Sequence, residues 1–213
     1  LWTNNSVDFG YEAYWTPTRQ CPRRRDRLVF EGPGNFEVKD VPNETIGQLI
    51  IRDTAIVILR NYSQSGAAAI DTLHLTGGKG EDFIIEEGSV LNLNVKNTLD
   101  KHGIRLNMLS NTTGEISGVL RFDNDLSSYS PFHQLTVKDA NTIRVKHGGR
   151  IEAIKLNQAN HKPFGDKLNI GYNGIIFENG SVYLHEAGAH PFGVSQPNSK
   201  VVFESGSLYH YHY

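Results

Sequence analysis

Apolar and polar residues alternate along most of the chain. Segments such as SVLNLNV and KLNIGYNGIIF carry apolar side chains at every second position and are rich in β-branched and aromatic residues. This spacing places the apolar side chains of a segment on one face of a β-strand. Long segments with the three- and four-residue spacing of an amphipathic helix are missing from the sequence. The pattern predicts an all-β protein built from short strands.

A glycine recurs at a nearly constant interval, each time just before an apolar segment. The five positions are Gly88, Gly118, Gly148, Gly180 and Gly206, which by subtraction lie 30, 30, 32 and 26 residues apart. Two apolar residues at a spacing of two precede four of these glycines, as Ile143 and Val145 precede Gly148. The segment before Gly118 departs from this rule, with Thr113 and Glu115 at the two positions.

A Pro-Phe pair keeps step with the glycines and strengthens the repeat. It occurs at Pro131-Phe132, Pro163-Phe164 and Pro191-Phe192. Two landmarks in phase predict a right-handed parallel β-helix, or β-solenoid, with coils of 26–32 residues whose apolar faces stack into one interior. The alternative is a β-sandwich with Gly-Ser hairpin turns, but such turns need not keep an interval of about 30 residues.

The first 27 residues have a different composition. They hold Trp2, Tyr11, Tyr14 and Trp15 among polar residues, together with two prolines that interrupt strands. We interpret residues 1–27 as a cap over one end of the solenoid, because an open end would recruit other strands. Residues 28–213 form the solenoid, and since the sequence ends in a mid-coil pattern we expect the protein to continue beyond it.

Composition narrows the function classes. The formal net charge of −2 does not favour a nucleic-acid partner, and no apolar stretch approaches the length of a membrane-spanning helix. Cys21 is the single cysteine, so neither an intrachain disulfide nor a cysteine metal cluster is expected. The chain begins with Leu and lacks a signal-peptide pattern, which favours a processed chain or a fragment.

Three segments in the first quarter of the chain, WTPTR, DRLVFEG and VPNETIGQLII, carry a family resemblance. They resemble the start of large secreted surface proteins of the Bacteroidota, and the later coils GSVY…AGAHPFG and VVFESGSLY are similar to coils of that family. The matching positions are Trp15, Pro17, Asp26, Phe30, Gly32, Thr45, Ile46, Gly47, Gln48 and Leu49. The resemblance implies export, by the type IX route, and a surface role in adhesion or gliding motility. Its motifs are structural, so it supplies no active site.

Candidate enzymatic residues are few. A β-helix polysaccharide lyase or hydrolase needs two carboxylates across a cleft, or a Lys or Arg base with acidic calcium ligands. The acidic candidates are Glu81-Asp82, Glu86-Glu87 and Asp123 with Asp125, and each also suits a polar turn. The segment LTGGKGED lacks the spacing of a phosphate-binding loop, and we interpret it as a turn between strands.

The histidines suggest a metal hypothesis that we do not adopt. His210 and His212 alternate within YHYHY and share one face of a strand, with His185 as a conceivable third ligand one coil away. Two ligands are too few for a metal site, so we predict no metal and no cofactor. A polar outer face opposite an inward aromatic face explains the same pattern.

Two groups of side chains remain as candidate functional positions. Tyr172, Tyr183, Tyr209 and Tyr211 are candidates for stacking on sugars or contacting a partner, with an inward aromatic column as the alternative. The segments DTA and DTL make Thr54 and Thr72 candidate acceptors of O-glycans.

The sequence therefore predicts a non-enzymatic surface module, the amino-terminal part of a larger exported β-solenoid adhesin. The expected partners are an outer-membrane or secretion-system protein, or a surface glycan. The alternative functions are a polysaccharide-binding or polysaccharide-degrading β-helix and a passive structural element of a filament or surface layer.

Overall fold

Short strands follow one another along the chain and pair with strands one coil away. The computed structural model describes residues 6–9, 15, 23–61, 69–95, 102–124, 133–154, 161–168, 170–193 and 197–212. The strands are β1 Ser6–Asp8, β2 Arg27–Glu31, β3 Gly34–Lys39, β4 Glu44–Ile46, β5 Gln48–Arg52, β6 Ala55–Leu59, β7 Ala69–Leu75, β8 Phe83–Ile85, β9 Val90–Val95, β10 His102–Met108, β11 Gly114–Ile116, β12 Val119–Asn124, β13 Gln134–Val137, β14 Ile143–Val145, β15 Arg150–Ala153, β16 Ile175–Phe177, β17 Val182–His185, β18 Val201–Phe203 and β19 Leu208–Tyr211. Within these ranges the chain forms no helix.

The strands build three parallel sheets. The first sheet has eight strands in the order β1-β3-β6-β9-β12-β15-β17-β19, and the second has seven in the order β2-β5-β8-β11-β14-β16-β18. The third has four, in the order β4-β7-β10-β13. Strands of one coil thus go to successive sheets, which confirms the parallel β-solenoid and excludes the antiparallel sandwich. The right-handed sense of the coil stays a prediction.

Inward side chains stack in columns because the register repeats from coil to coil. In the second sheet one column runs through Phe30, Ile51, Ile85, Ile116, Val145, Phe177 and Phe203. Almost every member is buried; the four middle members are aliphatic, and aromatic rings stand at both ends of the column. No coil buries its apolar face alone, so burial between neighbouring coils stabilises the fold.

The glycine repeat marks a corner between the second and first sheets. Gly88, Gly148, Gly180 and Gly206 all have positive φ, between 77° and 84°, a conformation that glycine adopts without steric cost. Gly118 has a different place. The register pairs Ile116 with Ile85 and Val119 with Val90, so its corner holds two residues where the neighbouring corner holds four. This shorter corner explains why the apolar pair is displaced before Gly118.

The segment before the first coil contributes to the end of the solenoid. The backbone of β1 pairs with β3 and extends the first sheet by one strand. Phe9 and Trp15 are buried, and the Trp15 ring meets Phe30 edge-on at a centroid distance of 5.6 Å. These contacts place the described part of the segment at the end of the solenoid, and the cap with its boundaries 1–27 and 28–213 stays a prediction. Trp2, Tyr11, Tyr14 and Cys21 lie outside the described residues.

Among the described residues the third sheet ends at β13, and residues 161–168 and Ile170 beyond it form no strand. Phe164 of this segment is only 3% exposed and meets Tyr183 at a ring distance of 5.7 Å. The Pro-Phe landmark thus supplies an aromatic side chain to the core where a third-sheet strand is missing. The backbone oxygen of Pro163 accepts from Leu135 N at 2.9 Å, so this segment runs directly beside β13. Pro131-Phe132 lies outside the described residues.

Candidate functional site

A cavity of about 390 Å³ lies on the outer face of the third sheet. Strands β7, β10 and β13 provide its floor, and the segment 162–167 together with Ile170 provides its wall. Lys200, which precedes β18, closes the side of the cavity. The cavity thus lies beside β13, the last described strand of the third sheet.

Strand alternation places two outward side chains from each floor strand in this cavity. Leu73, Leu106 and Leu135 point inward in register, so their neighbours point outward. The outward positions are Thr72 and His74 on β7, Arg105 and Asn107 on β10, and Gln134 and Thr136 on β13. All six are polar, so the floor of the cavity consists of hydrogen-bonding side chains.

One row of the floor forms a hydrogen-bonded ladder across three coils. The Thr136 hydroxyl donates to Asn107 Oδ1 at 2.8 Å, and Asn107 Nδ2 lies 2.9 Å from His74 Nδ1. With the amide in this orientation, Nδ2 donates and Nδ1 of His74 accepts, so the imidazole proton sits on Nε2. Partial burial, with a smaller contribution from the charge of Arg105, lowers the pKa of His74. His74 is therefore a neutral donor at neutral pH.

The second row fixes Arg105. Its Nε donates to Gln134 Oε1 at 2.8 Å, and Gln134 Nε2 donates to the backbone oxygen of Lys162 at 2.9 Å. The guanidinium is thereby held in a defined orientation, while its terminal nitrogens are free of any ion pair within the described residues. Burial lowers the pKa of Arg105, and Asp166 partly offsets this effect.

Lys200 supports the wall. Its ammonium donates to the backbone oxygen of Lys167 at 2.6 Å and to that of Ile170, and it lies 5.1 Å from the centre of the Tyr172 ring. The residue is 4% exposed, and its pKa is lowered by burial. Two carbonyls take two of its three donors, so Lys200 shapes the cavity and adds positive charge to it.

The cavity has a strong excess of positive charge. Its lining contains five cationic side chains, Arg105, Lys138, Lys162, Lys167 and Lys200, and one carboxylate, Asp166. The Asp166 side chain is 65% exposed and lies 3.9 Å from Lys162, a distance at which an exposed pair contributes little. An excess of four positive charges in a recess of lowered solvation favours a bound anion.

The four tyrosines of interest have different environments. Tyr183 is fully buried and stacks on Tyr209, so it belongs to the inward column and is closed to a ligand. Tyr209 is half-buried, with its Oη 2.7 Å from His185 Nδ1. Tyr211 is 55% exposed. Tyr172 lies beside the cavity wall against Lys200.

His185, considered above as a third ligand beside His210 and His212, does not face those two residues. His210 and His212 share the outer face of the last strand, with ring centres 6.3 Å apart. His185 is inward, pairs in register with Tyr211, and lies 3.1 Å from the backbone oxygen of Gly188 through Nε2. Within the ranges that the structure describes, no three His, Cys, Asp or Glu side chains come together as a metal site.

The two candidate glycan acceptors differ in access. Thr54 lies exposed in the turn between β5 and β6, and its hydroxyl donates to the backbone oxygen of Asp53. Thr72 is buried on the cavity floor at 8% exposure. Accessibility therefore favours Thr54 of the two, and its glycosylation stays a prediction.

The acidic turns have structural roles. Asp82 is buried, and its carboxylate accepts from the backbone nitrogens of Gly78 at 2.7 Å and Thr113 at 2.9 Å. The segment LTGGKGED is thus a turn between β7 and β8 that is fixed to the next coil, as predicted. Asp123 is buried at the end of β12, and Asp125 lies outside the described residues.

No protein-family model, curated protein or solved structure matches the chain. The fold and the cavity are therefore the basis for any statement about function. In the described part of the chain no helix has the length and apolar character needed to cross a bilayer.

Sequence reasoning missed the cavity. Its floor residues lie in three different coils, and its wall departs from the repeat. The sequence did contain one sign of the cavity floor, namely a pair of polar residues at alternate positions in each of three consecutive third-sheet strands. Those pairs, Thr72 with His74, Arg105 with Asn107 and Gln134 with Thr136, are 33 and then 29 residues apart by subtraction, close to the coil length.

Proposed function

We propose that this chain is a non-enzymatic module of an exported cell-surface protein and that the cavity on its third sheet binds a glycan. The observation that carries the proposal is a cavity of about 390 Å³ with a floor of six polar side chains. The resemblance to secreted surface proteins of the Bacteroidota supports export and a surface location. Adhesion then comes from a rigid solenoid that presents this cavity on its side.

The chemistry of the floor suits sugar hydroxyl groups. The ladder of Thr136, Asn107 and His74 fixes the direction of each hydrogen bond and leaves His74 Nε2–H as an oriented donor. Fixed donors and acceptors bind a polyhydroxylated ligand with little further loss of side-chain entropy. Such a surface discriminates between sugars by the position of their hydroxyl groups.

Hydrolysis has little support at this site. Glycoside hydrolases use a pair of carboxylates, and Asp166 is the one carboxylate of the lining. A polysaccharide lyase is the second candidate function, because Arg105 supplies on the cavity floor the kind of side chain that a β-helix lyase uses as its base. The same side chain is held as a hydrogen-bonded cation by Gln134, which favours binding.

The test is binding together with product analysis. We expect the purified chain to bind one or more polysaccharides of a panel of neutral and acidic chains in affinity electrophoresis, and to leave their length unchanged. The variant Asn107→Leu interrupts the ladder and should weaken binding, whereas Asn35→Leu on the outer face of the first sheet should not. Appearance of unsaturated, ultraviolet-absorbing ends on the polysaccharide would show that the chain is a lyase and not only a binding module. Failure to bind any glycan would refute the proposal.

The location and the partner are tested separately. We expect the native polypeptide to have a larger mass than this chain, to reside on the cell surface and to be removed by protease added outside the cells. Cross-linking should then identify an outer-membrane or secretion-system protein as a neighbour. A native polypeptide of the size of this chain, found inside the cell, would contradict the surface-module assignment.

A further inference from the structure

We infer that the glycan bound in this cavity carries an oxyanion, a carboxylate or a sulfate ester, and that Arg105 is its anchor. The inference rests on the proposed function, since it names the class of glycan that the same cavity binds. It assigns to Arg105 the contact that separates acidic from neutral sugars.

The first argument is the geometry of Arg105. Its Nε is engaged by Gln134 at 2.8 Å, which sets the plane of the guanidinium and leaves the two terminal nitrogens for another acceptor. A guanidinium in a fixed plane suits the paired oxygens of a carboxylate or a sulfate. No carboxylate of the described residues forms an ion pair with it.

The second argument is the energetic cost of burying the Arg105 charge without a carboxylate partner among the described residues. Arginine keeps its proton in proteins, so partial burial of Arg105 carries a cost that an anion would relieve. Lys138, Lys162 and Lys167 add further positive charge to the cavity. The single exposed carboxylate of Asp166 cannot neutralise all of these charges. Binding of a neutral sugar would leave the excess positive charge of the lining uncompensated.

The third argument concerns position within the floor. Arg105 stands between Thr72 and Gln134 in one row, and the His74–Asn107–Thr136 row runs beside it. A sugar whose hydroxyl groups contact the His74 row therefore brings an acidic substituent within reach of Arg105. One ligand satisfies both rows.

A single-stranded nucleic acid is the competing polyanion, and the lining does not favour it. Such ligands stack their bases on exposed aromatic rings. Phe164 is the one Phe, Tyr or Trp among the described lining residues, and it is 3% exposed. The fixed hydrogen-bonding rows fit sugar hydroxyl groups better than base faces.

The experiment measures binding of three probes by isothermal titration calorimetry. The probes are polygalacturonate, which carries carboxylates, dextran sulfate, which carries sulfate esters, and unmodified dextran. We expect tight binding of one acidic probe and little binding of dextran, and the preferred acidic probe identifies the oxyanion. An oligodeoxythymidylate serves as the nucleic-acid competitor and should not displace it.

Variants then test the anchor. Arg105→Gln should weaken binding of the acidic probe by roughly tenfold to a hundredfold, the usual range for a hydrogen bond to a charged group. Arg150→Gln removes the same charge from the outer face of the first sheet, where the side chain is 49% exposed, and should leave binding unchanged. Lys138→Gln, at an exposed position on the rim, gives a smaller loss and tests the charge without disturbing the floor.

The outcomes separate the two claims. Equal binding of dextran and polygalacturonate, with Arg105→Gln unaffected, would overturn the oxyanion while glycan binding stands. Displacement by the oligonucleotide would overturn the glycan class. If Arg105→Gln unfolds by circular dichroism, Arg105→Lys and Lys138→Gln decide, because unchanged affinity in both would overturn the anchor. Absence of binding to every glycan would refute the proposed function itself.

Discussion

Thr54 adopts a backbone conformation that threonine rarely takes. Asp53 and Thr54 have φ values of 55° and 64° in the turn between β5 and β6. The left-handed region is most unfavourable for β-branched side chains, which makes Thr54 a strained residue in an exposed turn. The strain persists because the flanking strands are fixed in register with β2, β3, β8 and β9.

Replacement of Thr54 by glycine should stabilise the protein. Glycine has no Cβ to clash in this conformation, and we expect the free energy of unfolding to rise by about 1 kcal/mol. Urea denaturation of the purified variant measures the change. Thr113→Gly is the matched control, since Thr113 is exposed without a positive φ, and it should lower stability. An equal loss in both variants would show that Thr54 is unstrained.

His133 is a second residue whose environment sets a measurable property. It is buried, its Nδ1 accepts from the backbone nitrogen of Ile104 at 3.1 Å, and burial lowers its pKa to about 3. The backbone of Asp123 and the ring of His161 are the other groups that act on it. His161 is also buried and has a lowered pKa. Both imidazoles are neutral in the folded protein near neutral pH.

The lowered pKa of His133 predicts a loss of stability in acid. Below pH of about 6.5 the unfolded chain takes up a proton that the folded chain refuses until about pH 3, so stability falls across this interval. Each such group contributes at most about 1.4 kcal/mol per pH unit. His133→Asn keeps an acceptor for Ile104 without titrating, and its unfolding free energy should fall less from pH 7 to pH 4. Parallel curves for variant and wild type would contradict this.

The corner at Gly118 shows how one element departs from the repeat without breaking it. Two residues are missing relative to the other corners, and the chain passes close to the preceding coil. A Cβ at Gly118 would enter the space of the backbone oxygens of Glu86 and Ser89, which cannot move without breaking the ladder. A Cβ at Gly148 would meet nothing within 4 Å, although φ there is +79°.

The two glycines therefore separate lack of space from backbone strain. Gly118→Ala should lower the unfolding free energy by about 1–3 kcal/mol through overpacking, and Gly148→Ala by about 1–2 kcal/mol through its left-handed backbone alone. Hydrogen exchange distinguishes the causes, because only Gly118→Ala should speed exchange in β9 as well as β12. Exchange confined to the mutated corner in both variants would refute the steric explanation.

Sequence predicted the fold at the level of elements because its signals are local and periodic. The inward pair Ile143 and Val145 and the corner glycines depend on strand alternation and on φ, and both can be recognised within one coil. The cavity depends on residues 29 to 33 positions apart and on a wall, formed by residues 162–167 and Ile170, that lies outside the strand repeat. The cavity lies where the wall does not follow the strand repeat, and this irregularity can be recognised only when the pairing register of the strands is known. The inward direction of Tyr183 could not be predicted either, because it depends on the number of residues in the corner between β16 and β17.

At the scale of the whole molecule, charge is unevenly distributed. The chain has a formal net charge of −2, and the cavity lining holds an excess of four positive charges, so all other residues together sum to −6. A polyanion is therefore attracted to the cavity and repelled by the remaining surface. This arrangement favours one position of binding over general adsorption.

Affinity for an acidic glycan should fall with salt. Screening shortens the reach of these charges from about 10 Å at 0.1 M to about 3 Å at 1 M ionic strength. We expect the dissociation constant for the preferred acidic probe to rise roughly tenfold between about 0.05 and about 0.5 M NaCl. Calorimetry at several salt concentrations measures this, and urea denaturation at the same concentrations controls for stability. A constant affinity would show that charge does not govern binding.

The early end of the third sheet also has a mechanical meaning. Among the described strands, ladders of hydrogen bonds run along the axis in three sheets as far as β13 and in two sheets thereafter. A rod braced on three sides resists bending in every direction, and a rod braced on two sides yields more easily toward the open side. The cavity lies where the part with three strand ladders meets the part with two. A ligand held there and pulled would apply its load at the joint between a stiffer and a more compliant length of the same molecule.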